Sequence, residues 1–242
     1  MIASAIHINE QIADRLASDG WYVGESIFDA ALGARLRDRA HELARRGALQ
    51  PARIGRSTAA QGQADLRRDD TLWLADAPED AAERDALAAV HALRTTLNTS
   101  LYVGARSAEL HFARYAPGAF YRTHRDRFRD DDARLITLVF YLNSDWGAGA
   151  GGEQVLYERD DSGAVLARVP PRAGTMVCFR SELFPHEVLP AAQERFSLTG
   201  WLRRDERMTL GECWCSGCPQ RTSWLMAPLP APLAMGCCCW LA

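Results

Sequence analysis

The sequence predicts an α+β chain in which N-terminal helices buttress an antiparallel sandwich or barrel. Two observations predict it. Up to about residue 100 apolar side chains recur every three to four positions, the period of a helix with one buried face. From Leu101 through Leu202 they fall instead into short β-branched or aromatic runs separated by Gly, Pro and Asp. Helices first and many short strands afterwards describe layered α+β architecture, not alternating βα units. With 242 residues, 48% hydrophobic and 24% charged, the chain suits one domain or at most two, around a single core. It contains no internal repeat.

Taken in order, Asn9 is the expected N-cap of a first helix with Ile12, Ala13 and Leu16 on one face and Gly20 as its stop. A strand is expected over 21–27. Asp29 then caps a second helix whose Leu32, Leu36, Ala40 and Leu43 form a stripe ending at Gly47. The polar run 51–64, with Gly55 and Gly62, reads as a mobile loop. Residues 66–74 read as a strand, and Pro78 suits the first turn of a third helix over 79 to about 97, striped by Ala86, Leu87, Val90, Leu93 and Leu97. Strands are expected over 108–115, 135–142, 153–157, 165–169, 175–179 and 196–202. The organisation is thus a supporting segment over 1–100, a barrel over 101–204, and an appended Cys- and Pro-rich tail over 205–242 expected to be poorly ordered.

Bulk properties narrow the function classes. The formal net charge of −3 lacks the basic excess of nucleic-acid or anionic-membrane binders. The start of the chain lacks a positive n-region, and no segment offers the apolar length of a bilayer span, so a cytoplasmic protein is expected. Cys178 is the only cysteine before residue 205, which excludes a disulfide-built body. In the tail, Cys213, Cys215 and Cys218 are clustered thiols without the second paired knuckle of a usual zinc site.

The stretch from His111 to Asp126 carries the chemistry, because it ends in His124-x-Asp126. On a strand, residues two apart project to one face, so an imidazole and a carboxylate can aim at one ion. Downstream lie His186, within Phe184-Pro-His-Glu-Val188, and Arg195, nine positions further on. Two histidines and one carboxylate on one face of an octahedral ion leave three adjacent positions open, the arrangement of non-haem Fe(II) oxygenases. Those positions suit a bidentate 2-oxo acid and O2. The far carboxylate of such an acid needs a cation, and Arg195 shares a strand face with Ser197, Thr199 and Trp201. Tyr141 shares a face with Leu135, Thr137 and Val139 and can point its phenol inward.

At these residues the chain from about 66 to 204 resembles the Fe(II)/2-oxoglutarate dioxygenases of the prolyl 4-hydroxylase type, particularly bacterial relatives of the HIF prolyl hydroxylases. The likeness extends to Tyr115-Ala-Pro-Gly118, Phe140-Tyr-Leu-Asn143, Gly151-Gly152 and Leu198-Thr-Gly-Trp201. It implies a double-stranded β-helix, or jelly roll, with Fe(II) on His124, Asp126 and His186. It further implies 2-oxoglutarate held through its C5 carboxylate by Arg195 in a pocket lined by Tyr115, Tyr141 and Thr199, with O2 as co-substrate and ascorbate required. Trp201 supplies an aromatic wall to the same pocket. The reaction implied is hydroxylation of an unactivated carbon coupled to release of succinate and CO2.

The block Arg67-Arg-Asp69-Asp-Thr-Leu-Trp73 resembles a family segment that borders a substrate-covering loop, here 53–65, with Arg68 standing where the family has glycine. The resemblance implies that Asp69 pairs with Arg134 and anchors that loop at the barrel mouth. Gln154 is more polar than the leucine expected there. A protein substrate presenting a proline is therefore expected, with no nucleic-acid or membrane partner; oligomeric state is not legible. Two other readings stay open: a hydroxylase of a free amino acid, and a cupin-like metal-binding sensor without turnover, against which Arg195 argues. A nucleic-acid demethylase of the AlkB type would carry a second arginine six residues after Arg195, where this chain has Trp201.

Overall fold

The computed structural model describes residues 2–52, 65–126 and 133–205. Helix α1 spans Ile2–Ser18, longer than expected. Nothing between Ile2 and Ile8 breaks a helix, so Asn9 lies within it instead of capping it. Gly20, at φ +80°, ends it and turns the chain into β1, Trp21–Glu25. Helix α2, Ala30–Arg45, begins as predicted, with the Asp29 carboxylate accepting from the Leu32 amide at 2.8 Å. After β2, Gln50–Pro51, and β3, Asp69–Trp73, helix α3 spans Ala81–Leu101. Its cap is Asp80, which accepts from Ala82 and Glu83 at 2.8 and 3.1 Å, so Pro78 precedes the helix instead of opening it. A carboxylate that satisfies two free amides outweighs the proline preference.

Eight strands follow: β4 Ser107–Tyr115, β5 Tyr121–His124, β6 Arg134–Tyr141, β7 Gln154–Tyr157, β8 Val165–Val169, β9 Thr175–Arg180, β10 His186–Val188 and β11 Arg195–Arg203. They form two antiparallel sheets, one ordered β1-β9-β6-β11-β4-β3-β2 and the other β5-β10-β7-β8. This is the expected jelly roll, and the three helices support its larger sheet.

That sheet is apolar on both faces, which is why β4, β6 and β11 read as almost continuous hydrophobic runs. Leu110, Phe112, Ile136, Leu138, Phe140, Leu198 and Leu202 pack in one cluster with Ile12, Leu36, Leu93 and Leu97 of the helices. The alternate residues Val139, Tyr141, Val177 and Phe179 face inward and pack with Leu156 and Val169 of the smaller sheet. The period of two splits each strand between a helix-facing and a barrel-facing core, where a single core had been expected. The tail beyond Asp205 and nearly all of the predicted loop, 53–64, lie outside the described residues.

Candidate active site

Strands β5 and β10 pair so that His124 lies directly across from His186, with ring centroids 4.2 Å apart. Strand β5 ends at His124, and Asp126 reaches the site from the bend beyond it, not from the same strand face. Its Oδ1 lies 3.5 Å from His124 Nε2 and its Oδ2 3.5 Å from His186 Nε2. One donor atom from each residue falls within 4.8 Å of the others.

Neighbouring groups orient all three. The Nδ1 of His124 hydrogen-bonds the Arg122 carbonyl at 2.7 Å, and the Nδ1 of His186 bonds that of Phe184 at 3.2 Å. Each ring therefore turns Nε2 toward Asp126. The Thr137 hydroxyl donates to Asp126 Oδ2 at 2.8 Å and meets Ser181 at 2.9 Å. Hydrogen bonds of this kind fix tautomer and direction before a metal arrives. Burial opposes ionisation of Asp126, but His186, His124 and Arg134 outweigh it and hold the carboxyl well below its usual range. Burial and then His124 push His186 down to about 4. At neutral pH the Asp126 carboxylate and the His186 imidazole are therefore in the forms that bind a divalent cation. With His124 they make an N,N,O set open on one side, which fits Fe(II).

Arg195 is 1% exposed, and its Nε donates to the Gly152 carbonyl at 3.0 Å. Its guanidinium carbon lies 4.9 Å from the Tyr115 ring centroid and 5.2 Å from that of Tyr141. Among the described residues no carboxylate pairs with it. A buried cation left without an anion is costly, and the arrangement suits an incoming carboxylate. The Gly151-Gly152 pair makes room: both have positive φ, and a side chain on Gly152 would collide with Ala191 and Trp146. Tyr141 donates to Gln154 Oε1 at 2.7 Å, and Thr199 meets Ser197 at 3.2 Å.

At the rim the structure corrects one expectation. Asp69 pairs with Arg67, whose Nε lies 2.6 Å away, and not with Arg134. Arg134 instead donates to Glu109 at 3.2 Å, which also takes Arg203 at 3.0 Å. Arg134 lies over Trp201, its guanidinium carbon 3.6 Å from the ring centroid. Trp201 stacks on His111, and His111 meets the Trp73 ring at a tilt, giving one aromatic wall. Arg68, in place of glycine, needs no left-handed turn: residues 66–68 run alongside 120–122, with the Arg68 amide on the Phe120 carbonyl at 2.9 Å. Sequence reasoning missed Thr137, Tyr121, Glu109 and His111 as parts of the site. A polar residue on the barrel-facing side of an apolar strand, as at Thr137, Glu109 and His111, was the available signal.

A jelly roll enclosing two histidines, one aspartate and a buried unpaired arginine defines a mononuclear non-haem iron oxygenase. Residues 110–203 match the 2OG-Fe(II) oxygenase superfamily. The chain is 28% identical over 185 residues to prolyl hydroxylase EGLN3 of Mus musculus, covering 74% of each protein. It also superposes on a Pseudomonas putida prolyl-4-hydroxylase with a TM-score of 0.72 and 38% identity, covering 82% of this chain and 100% of that one. A Trichoplax adhaerens prolyl hydroxylase, solved in complex with a hypoxia inducible factor peptide fragment, shares the fold with a TM-score of 0.74 at 20% identity, covering 84% of this chain and 92% of that one. The chain belongs to the 2OG-Fe(II) oxygenase superfamily, an enzyme family that requires Fe(II), 2-oxoglutarate and O2.

Proposed function

We propose that this enzyme hydroxylates a prolyl residue in a protein substrate, with 2-oxoglutarate and O2 as co-substrates and succinate and CO2 as co-products. The observation that carries the reading is the buried guanidinium of Arg195 in a barrel that also holds the His124, Asp126 and His186 set. A buried cation without a carboxylate of its own among the described residues, in the same barrel as a three-ligand site, calls for a dicarboxylate that also chelates the metal. The prolyl hydroxylases among its relatives support the substrate class.

In this reading His124, Asp126 and His186 hold Fe(II), which when bound supplies O2 activation coupled to decarboxylation of the 2-oxo acid. Arg195 takes the C5 carboxylate. Tyr115, Tyr141 and Thr199 line the pocket, with Tyr141 buried among Val139 and Val177 and Tyr115 among Ala113, Ala119 and Val188, which excludes water there. Thr137 aims the Asp126 carboxylate through its hydrogen bond to Oδ2. Trp201 and the half-exposed Trp73 wall the route by which an extended peptide reaches the metal, with Arg134, Arg67 and Asp69 at its edge. Ascorbate would be required as the reductant. No described helix is long and apolar enough to cross a membrane, and we assign the reaction to the cytoplasm.

The test is aerobic incubation in cell extract with Fe(II), 2-oxoglutarate and ascorbate, followed by mass spectrometry for prolyl residues that gain one oxygen. Hydroxylation of free proline with no modified protein would overturn the substrate class. Absence of any 2-oxoglutarate turnover would favour a metal-binding sensor.

A further inference from the structure

We infer that Tyr121 and Arg67 are positioning residues for the imidazole of His124, so that the Arg67–Asp69 pair supports the metal centre as well as the rim. The inference rests on reading His124 as an iron ligand. It starts from an asymmetry between the two histidines. His186 sits on β10, an inner strand of the smaller sheet, where its side chain is 5% exposed and packed edge-on against Phe179 at 4.8 Å. His124 ends the four-residue strand β5 at the edge of that sheet, and its side chain is 17% exposed. Packing that holds one ring is thinner at the other.

What replaces it is a relay of flat groups. The Tyr121 ring stacks on the His124 imidazole with centroids 3.6 Å apart and planes 16° from parallel. The guanidinium carbon of Arg67 lies 4.4 Å from the centroid of the same phenol ring. Asp69, its side chain fully buried, grips the Arg67 fork through both oxygens. The backbone holds the two partners in register: Arg67 lies opposite Tyr121, and the Arg122 amide bonds the Leu66 carbonyl at 2.8 Å. The hydrogen bond from Nδ1 to Arg122 sets one direction within the imidazole plane, and the stack sets the tilt of that plane. Both are needed to aim Nε2 at an ion alongside Asp126. A guanidinium over the phenol strengthens the stack without requiring the hydroxyl.

The experiment measures metal binding without turnover, by calorimetric titration of Mn(II) into the metal-free full-length protein. Tyr121→Leu should weaken binding by about tenfold or more, the usual effect of losing an orienting neighbour, while Tyr121→Phe stays within about twofold of the parent. Arg67→Met, which keeps Tyr121 and the length of the side chain, should weaken it by a smaller factor. Near-UV circular dichroism checks that each variant is folded, and if Tyr121→Leu is not, Arg67→Met decides alone. Parent-like affinity in every folded member of the Tyr121→Leu and Arg67→Met pair would overturn the inference. Failure of the parent to bind Mn(II), or unchanged binding by His186→Ala, would overturn the metal-site reading itself.

Discussion

The phenol of Tyr141 donates its proton to Gln154 at 2.7 Å, inside the barrel and beside Arg195. Gln154 is the residue whose polarity departs from the family pattern, and its buried amide occupies the hydroxyl expected to face the co-substrate. Gln154→Leu should release that hydroxyl. Recovery of one charge-assisted hydrogen bond, worth about 1.5 kcal/mol, would lower the KM for 2-oxoglutarate by roughly tenfold. A KM unchanged or raised in steady-state succinate assays would mean that Tyr141 does not turn toward the co-substrate.

Removing any of the three ligands should abolish turnover, because two groups do not hold Fe(II) against water. The sharpest case is His186→Ala, since its ring is buried and Asp126 leans on it. Near-parental succinate release by that protein would refute the assignment.

Arg195→Ala separates the co-substrate from the metal. Mn(II) affinity should persist, while the 2-oxoglutarate KM rises by about a hundredfold or more, the effect of burying a carboxylate with its cation removed. Arg203 is not expected to substitute, because Glu109 and Asp205 already hold it at 3.0 and 2.9 Å. An unchanged KM would reopen that question.

Glu109 anchors Arg134 over Trp201, a part that the resemblance assigned to Asp69. Glu109→Gln weakens that anchor while leaving the metal ligands untouched. The KM for the protein substrate should rise several-fold, and decarboxylation uncoupled from substrate should hold steady. Equal loss of both activities would show that Glu109 serves the fold and not the rim.

Acid should destabilise the metal-free protein from about pH 6.5 downward. Burial, then Arg67 and Arg134, push His111 down to about 3 from an ordinary value of 6.5. Between those values the unfolded chain binds a proton that the folded chain refuses, so stability present above pH 6.5 is lost as pH falls toward 3. His186, at about 4, acts in the same direction, and the depressed Asp126 adds its loss across the carboxylate range. His111→Phe keeps the aromatic wall and removes one proton site. Between pH 7 and pH 5 it should lose about 2 kcal/mol less unfolding free energy than the parent, measured by denaturant titration. Equal losses in the two proteins would show that His111 is protonated when folded.

What the residues determine on their own is local. Asp29 caps a helix because its carboxylate meets amides three residues away, and the Leu36, Ala40 and Leu43 stripe follows from the helical period. His124, Asp126, His186 and Arg195 are equally legible as candidates, since their chemistry restricts what they can hold, and for Arg195 strand alternation says which neighbours share its face. Strands as short as β5 and β10 carry too few residues for any period to register. Only the folded sheets set His124 opposite His186 and bring Asp126 back across the bend.

Which carboxylate receives Arg134 is decided by the tertiary structure. A chain with 28 basic and 31 acidic residues allows many pairings of similar worth, and nothing in their spacing ranks them. Asp69, the first residue of β3, is held by Arg67 two positions before it, and Glu109, facing Trp201 across β4 and β11, receives Arg134 instead. The same holds for Tyr141 with Gln154 and Arg195 with Gly152. These contacts join residues whose closeness is made by the pairing and packing of the sheets, because a hydrogen bond or a ring stack forms only between groups that the rest of the fold has already brought within a few ångströms.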